Sequence, residues 1–218
     1  MTQFELTAKN RVRRVPNRGS YDKKSVYEIV DQALIGHVGF AVDGEPFVIP
    51  TLIARKDNQL LLHGAATSRL MQHIQTAAPI CVAVTHVDGL VLARSVFHHS
   101  INYRSAVLFG SGEIITDADA KMEALRLFTE RLVPGRWDDV RAPNEAEFKA
   151  TAVAAVEIDL ASAKVRVGPP GDDEADYDLP VWAGVLPLKQ QYEDPLPDDR
   201  LDPTIEFPKY LQNFIDSH

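Results

Sequence analysis

The chain has 218 residues, 45% of them hydrophobic and 25% charged, which suits one domain with a buried core and leaves no apolar run of the ~20 residues that a membrane span requires. A net charge of -8 opposes a nucleic-acid partner, and a single cysteine, Cys81, excludes an intrachain disulfide framework and reads as a small core residue. The N-terminal stretch MTQFELTAKNRVRR is polar, without the apolar middle of a secretory signal, so a cytoplasmic protein is expected.

Along the chain, KNRVRRVPNR from Lys9 to Arg18 gathers five basic residues and reads as a solvated arm on an acidic body. A helix is expected after Ser25, with Ser25 and Glu28 as a capping box, Val26, Ile29, Val30, Ala33 and Leu34 at helical spacing, and Gly36 as the stop. HVGFAVDGEPFVIPTLIARKDNQLLLHG then switches to short apolar strands separated by DG and KDN, turn sequences that tolerate positive φ, giving a three-strand meander. A helix begins near Arg69. APICVAVTHVDGLVLARSVF repeats the hairpin device with a second VDG turn, and SAVLFGSGEIIT supplies another long strand.

TDADAKMEALRLFTERLVPG is a helix capped by Thr116 or Asp117 and ended by Pro134 and Gly135. TAVAAVEIDLASAKVRVG reads as two strands, the acidic stretch from Gly168 to Pro180 as an exposed loop, and LPVWAGVLPL as a short docked segment. So many antiparallel strands with few helices between them predict a mostly β fold, a closed barrel with peripheral α-helices, rather than a parallel sheet. The whole chain, 1–218, is expected to be one domain with a basic N-terminal arm (about 1–20) and a C-terminal extension (about 168–218).

The stretch LLLHGAATSRLM, Leu60 to Met71, carries the first chemical signal. A strand, a loop of small residues and Ser68-Arg69 at a helix start suit a phosphate, with backbone N–H groups, a hydroxyl and a bidentate cation converging. A Ser N-cap followed by a solvent-facing Arg accounts for the same letters without any ligand, and spacing alone leaves both readings open. Neither a dinucleotide-binding glycine fingerprint nor a Walker A sequence occurs. A second cluster, SVFHHSINYRSAVLFGSGEI, crowds His98, His99, Asn102, Tyr103, Arg104 and Ser105 ahead of a strand. Adjacent histidines cannot share one strand face, and no acidic or cysteine ligand stands at a useful spacing, so no metal site is expected.

VGFAVDGEPFVIPT, LLLHGAATSRL, NYRSAVLFGSGEI and VWAGVLPL, in that order, resemble the pyridoxamine 5'-phosphate oxidase-like family of FMN-binding split barrels over about residues 11–190. The similarity is nearest to its flavin-nucleotide-binding subgroup, which includes nitroimidazole-resistance proteins. The resemblance implies an antiparallel six-stranded split β-barrel, a homodimer, and FMN held in clefts between subunits. It places the phosphate on Ser68 and Arg69, the flavin ring along Val48, Ile49, Pro50 and Thr51, and cofactor contacts at His63 and Gly64. Ser105, with Arg104 beside it, falls where a polar side chain approaches the pyrimidine edge, and Trp182 matches an aromatic given by the other subunit.

Two departures stand out: Leu70 replaces the lysine usual after the phosphate-binding arginine, and WAGVLPLKQQYEDP lacks the arginines that hold pyridoxal phosphate. Pyridoxamine phosphate oxidation is therefore not expected, and members that bind deazaflavin or haem instead belong to the same family. The leading expectation is an FMN-dependent oxidoreductase reducing a small organic substrate, with NADH or NADPH as a possible donor and the flavin doing the redox chemistry. His63 is then the candidate proton donor or substrate contact, beside a plain packing role. The alternative is a flavin-nucleotide storage, carrier or sensor protein without turnover.

Overall fold

The computed structural model describes residues 2–217. The first helix, α1 (Lys23–Gln32), is capped by Asp22 rather than Ser25: its carboxylate accepts from the Ser25 N–H at 2.9 Å and the Ser25 hydroxyl at 3.0 Å. Asp is an N-cap at least as good as Ser, and it stands at the right offset. Gly36 does not stop the helix but lies inside β2 (Ile35–Val42), where a Cβ would come within 2.8 Å of Ile53.

β2, β3 (Glu45–Lys56) and β4 (Gln59–Ala65) form the expected meander. Asp43 and Gly44 both take positive φ, 51° and 84°, as a type I′ hairpin turn demands. After α2 (Arg69–Gln75), β5 runs unbroken from Ile80 to Leu92. The second VDG is therefore a β-bulge between Val87 and Gly89, not a turn. Gly89 is needed there because a Cβ would stand 2.8 Å from the Leu186 carbonyl oxygen.

β6 (Ser100–Gly110) pairs with β5, while its continuation beyond Ser111, β7 (Gly112–Ile114), pairs with β8 (Thr151–Glu157). Since β8 pairs with β4, β4 with β3, β3 with β2 and β2 with β5, the ring closes as a six-stranded barrel in which β6 and β7 share one position. Closure brings backbones together at Gly110, where a Cβ would lie 1.9 Å from the Glu157 carbonyl oxygen. β9 (Leu160–Arg166) adds to β6, β1 (Gly19–Ser20) to β9, and β10 (Gly184–Pro187) from the docked segment to β5.

Strand alternation sorts the core into two parts. Val38, Ile53, Leu60, Leu62, Val82, Leu108 and Val156 fill the barrel, closed by Leu70, Met71 and Ile74 of α2 and by Val26 and Val30 of α1. Ala54, Leu61 and Val153 face outward and are covered by Ala124 and Phe128 of α3 (Ala118–Leu132), the helix that Asp117 caps. α4 (Glu145–Ala150) and α5 (Lys209–Asp216) were not anticipated, although Asn144 and Glu147 spell a capping box that closes in the structure.

The basic stretch is packed on the body as expected: Lys9, Arg11, Arg13 and Arg14 are exposed, while the Asn10 amide donates to the carbonyls of Glu5 and Ala161 and, just ahead of it, Phe4 is buried edge-on against Tyr27. One smaller expectation is corrected. Cys81 is half-buried because it faces out of the barrel, and desolvation raises its pKa. Among the described residues no helix is long and apolar enough to cross a membrane.

Candidate functional site

Ser68 is the N-cap of α2, its Oγ accepting from the Met71 N–H at 3.4 Å. The loop uses part of its own backbone: the Ser68 N–H donates to Ala65 and the Ala66 N–H to Ala150. What remains outward is the start of a seven-residue helix and the exposed Arg69, whose guanidinium lies 4.2 Å from the Phe47 ring centroid. Among the described residues the cation is thus held by a ring rather than by a carboxylate.

From there the outer face of the barrel runs across four strands. Register places Val48 beside Gly39 and Cys81, Pro50 beside His37 and Ala83, and Thr85 beside Ser105. Val48 and Pro50 are exposed, and glycine and alanine neighbours keep the surface low, so a planar ring system can lie flat on it. Ile49 and Thr51 point the other way, Ile49 against the barrel core. Ser105 donates to the Lys164 carbonyl oxygen at 3.2 Å.

Arg104 faces the opposite side from Ser105, where Asp88 takes it at 2.8–3.2 Å and Gln32 binds its Nη1. The Asp88 hydrogen bond holds its pKa above the ordinary value. The structure therefore does not bring Arg104 to the open face. Trp182, 63% exposed, precedes β10, which pairs with Gly89–Leu92 at the far end of β5 from α2. Eleven residues of strand separate Cys81 from Leu92, so Arg69 and Trp182 lie toward opposite ends of β5.

His63 and Gly64 end β4, but His63 turns under α3. Its ring packs against Phe128 at 4.4 Å between centroids and 56°, and its Nδ1 is buried with no hydrogen-bond partner among the described residues. Burial lowers the imidazole pKa and keeps it neutral, with a lone pair available. It lines a cavity of about 460 Å³ whose apolar wall includes Leu52, Leu125, Phe128, Leu132 and Trp137, and whose rim carries Arg141, Glu147 and Thr151.

Trp137 is folded over this cavity because Glu130, near the end of α3, accepts from the N–H groups of Gly135 at 2.8 Å and Trp137 at 2.9 Å. Those two donors hold the Glu130 carboxyl below its ordinary pKa. Tyr210 of α5 fastens the same turn, donating to Asp139 at 2.7 Å and accepting from Arg136 at 2.9 Å. The cavity was not read from the sequence; its only local signals were the aromatic after Pro134-Gly135 and the Asn144-Glu147 cap.

No group of three or more His, Cys, Asp or Glu suited to a metal ion occurs among the described residues. His98 instead meets Asp173 at 3.4 Å, and His99 contacts the Ser95 carbonyl oxygen at 2.8 Å. A solitary neutral imidazole is too few ligands for a bare ion, but it suffices for a macrocycle that brings its own four donors to the metal.

The family model described as pyridoxamine 5'-phosphate oxidase matches residues 22–165. No curated protein matches the sequence. The chain is 40% identical to the flavocytochrome Anf3 from Azotobacter vinelandii, with a TM-score of 0.89 over 95% of this chain and 96% of that one. It is 34% identical to the FAD and haem binding protein from Mycobacterium smegmatis, with a TM-score of 0.86 over 91% and 97%. A protein ascribed to 5-nitroimidazole antibiotic resistance from Bacteroides thetaiotaomicron shares the fold at 23% identity and a TM-score of 0.57, over 67% and 86%. This chain, closed as a six-stranded barrel and matched over most of its length, belongs to the pyridoxamine 5'-phosphate oxidase family of flavin-binding split barrels.

Proposed function

We propose that the protein is a flavocytochrome: a redox protein that binds a flavin nucleotide on its open sheet face and a haem in the α3 cavity, with His63 as the iron ligand. The observation that carries this reading is the His63 imidazole, packed on Phe128, without a partner for its buried Nδ1 among the described residues, and lining a cavity with an apolar wall in which Glu147 is the one other metal-ligating side chain. The two relatives above 30% identity support it, one named as a flavocytochrome and the other for FAD and haem.

When bound, a flavin takes up a hydride and releases electrons singly, and haem iron accepts them one at a time. The chain's part is to hold and orient. Phe128 packs on the His63 ring and limits its orientation, and Leu52 and Trp137 give the cavity apolar walls. Val48 and Pro50 offer a flat apolar surface, and Arg69 with the Ser68 hydroxyl offers a phosphate contact.

FMN satisfies those phosphate contacts, and the adenylate of FAD adds nothing they require. The likeness to a protein named for FAD nevertheless favours FAD in this chain, with FMN the second ligand to be titrated. The placement of Arg69 and Trp182 toward opposite ends of β5 supports a homodimer in which each flavin site draws on both subunits. NADH or NADPH is the proposed electron donor and a small molecule the acceptor.

The test is the absorption spectrum of protein made with both cofactors supplied. Flavin bands together with a Soret band, the latter lost in His63→Ala while the flavin stays, are expected. Flavin without haem in the wild-type protein would reject the two-cofactor reading, and a yellow protein inert to NADH and NADPH would favour storage or transport of the flavin.

A further inference from the structure

We propose that the rim of the His63 cavity is a carboxylate subsite, in which Arg141 takes a carboxylate of the cavity's ligand in a bidentate grip and releases Glu147 to do so. This rests on the haem reading, since haem carries two propionates on an otherwise apolar plate.

Among the residues that line the cavity, Arg141 is the cation and Glu147 the anion; His63 is neutral. Arg141 binds Glu147 fork to carboxylate, Nη1 to Oε2 at 2.7 Å and Nη2 to Oε1 at 2.6 Å. The side chain therefore already presents the geometry that an incoming carboxylate needs. Both partners are open to water, 69% and 45% exposed, so separating them sacrifices little.

Glu147 also does not need Arg141 to stay in place. Its Oε2 accepts from the Asn144 N–H at 2.9 Å, and the Asn144 Oδ1 accepts from the Glu147 N–H at 2.9 Å, the two halves of the α4 capping box. Arg141 and the Asn144 N–H hold the Glu147 carboxyl down to about 2, so Glu147 is an anion at every working pH. A ligand carboxylate arriving at this rim meets one guanidinium and one competing carboxylate. Removing the guanidinium and removing the competitor should therefore act in opposite directions.

The experiment titrates haemin and haemin dimethyl ester, which lacks the carboxylates, into wild type, Arg141→Ala and Glu147→Gln, following the Soret band and tryptophan fluorescence. A glutamine keeps the capping-box acceptor, so the second variant preserves the start of α4. Arg141→Ala should weaken haemin about three- to tenfold and leave the diester within about twofold, while Glu147→Gln should tighten haemin about threefold and leave the diester unchanged. Should Arg141→Ala fail to fold, the Glu147→Gln arm decides alone. Equal changes for the two ligands, or none in either variant, overturn the carboxylate subsite while haem binding stands. A wild-type protein that binds neither compound overturns the haem reading and this inference together.

Discussion

Pro50 and Leu52 point to the same side of β3, one onto the open sheet face and the other into the wall of the His63 cavity. Two residues of strand, roughly 7 Å, separate the two proposed cofactor positions. Electrons should therefore pass between them inside one molecule. In stopped-flow mixing with NADH or NADPH, haem reduction should require bound flavin and its rate should not change with protein concentration. Haem reduced equally fast in flavin-free protein would sink the coupling.

A second prediction concerns pH and the cofactor-free protein. Burial holds the folded His63 pKa below its ordinary value of 6.5, so the unfolded chain binds that proton first. Stability from this group is complete above about pH 6.5 and is lost as the pH falls toward the folded pKa. His63→Phe should flatten that part of the profile, measured by urea denaturation from pH 7.5 to 5. An unchanged slope would mean that His63 is not the buried neutral group described.

The phosphate reading turns on Arg69. Arg69→Ala should weaken FMN or FAD by about 1.5–3 kcal/mol, the worth of a hydrogen bond to a charged group, and leave riboflavin nearly unaffected because it has no phosphate. Arg69→Lys should recover part of the loss, since a point charge replaces a planar fork. Titrating the three flavins by fluorescence quenching distinguishes a phosphate contact from a cation merely resting on Phe47.

Much of the barrel was legible because strand alternation and turn chemistry are local. Asp43-Gly44 announces a hairpin by itself, and Leu60 and Leu62 alternate with Leu61 as a strand between two packed layers must. VDG at residues 87–89 misled because the same letters serve a bulge once a third strand, β10, lies against Gly89. The site was harder. Which face His63, Arg104 and Ser105 take depends on ring closure and on α3, and the cavity is assembled from β3, β4, α3 and the turn that follows it. No spacing within one segment encodes such a place.

Ring closure itself can be tested at Gly110. A methyl group there meets the Glu157 backbone at 1.9 Å, which cannot yield without opening the junction between β6/β7 and β8. Gly110→Ala should cost about 3 kcal/mol or more. Gly44→Ala is the control: its φ of 84° is strained for alanine, but nothing lies within 4 Å, so about 1 kcal/mol is expected. Chemical denaturation of the cofactor-free proteins ranks the two, and the reverse order would contradict the closure described.

The last prediction tests whether two chains build one flavin site. Arg69 and Trp182 stand at opposite ends of β5, so a two-fold dimer would pair Arg69 of one protomer with the partner's Trp182. Arg69→Ala and Trp182→Ala homodimers should each bind flavin weakly. Unfolding the two variants together and refolding them as a mixture should produce heterodimers in which one site carries both substitutions and the other carries neither. About one site in four across the mixture should then regain wild-type affinity, by random pairing of equal amounts. If both residues served the same chain's site, every site in the mixture would remain defective. Flavin titration of the mixture, with heterodimers verified by differently tagged chains, separates these outcomes, and tagged heterodimers without any high-affinity site would reject the shared-site dimer.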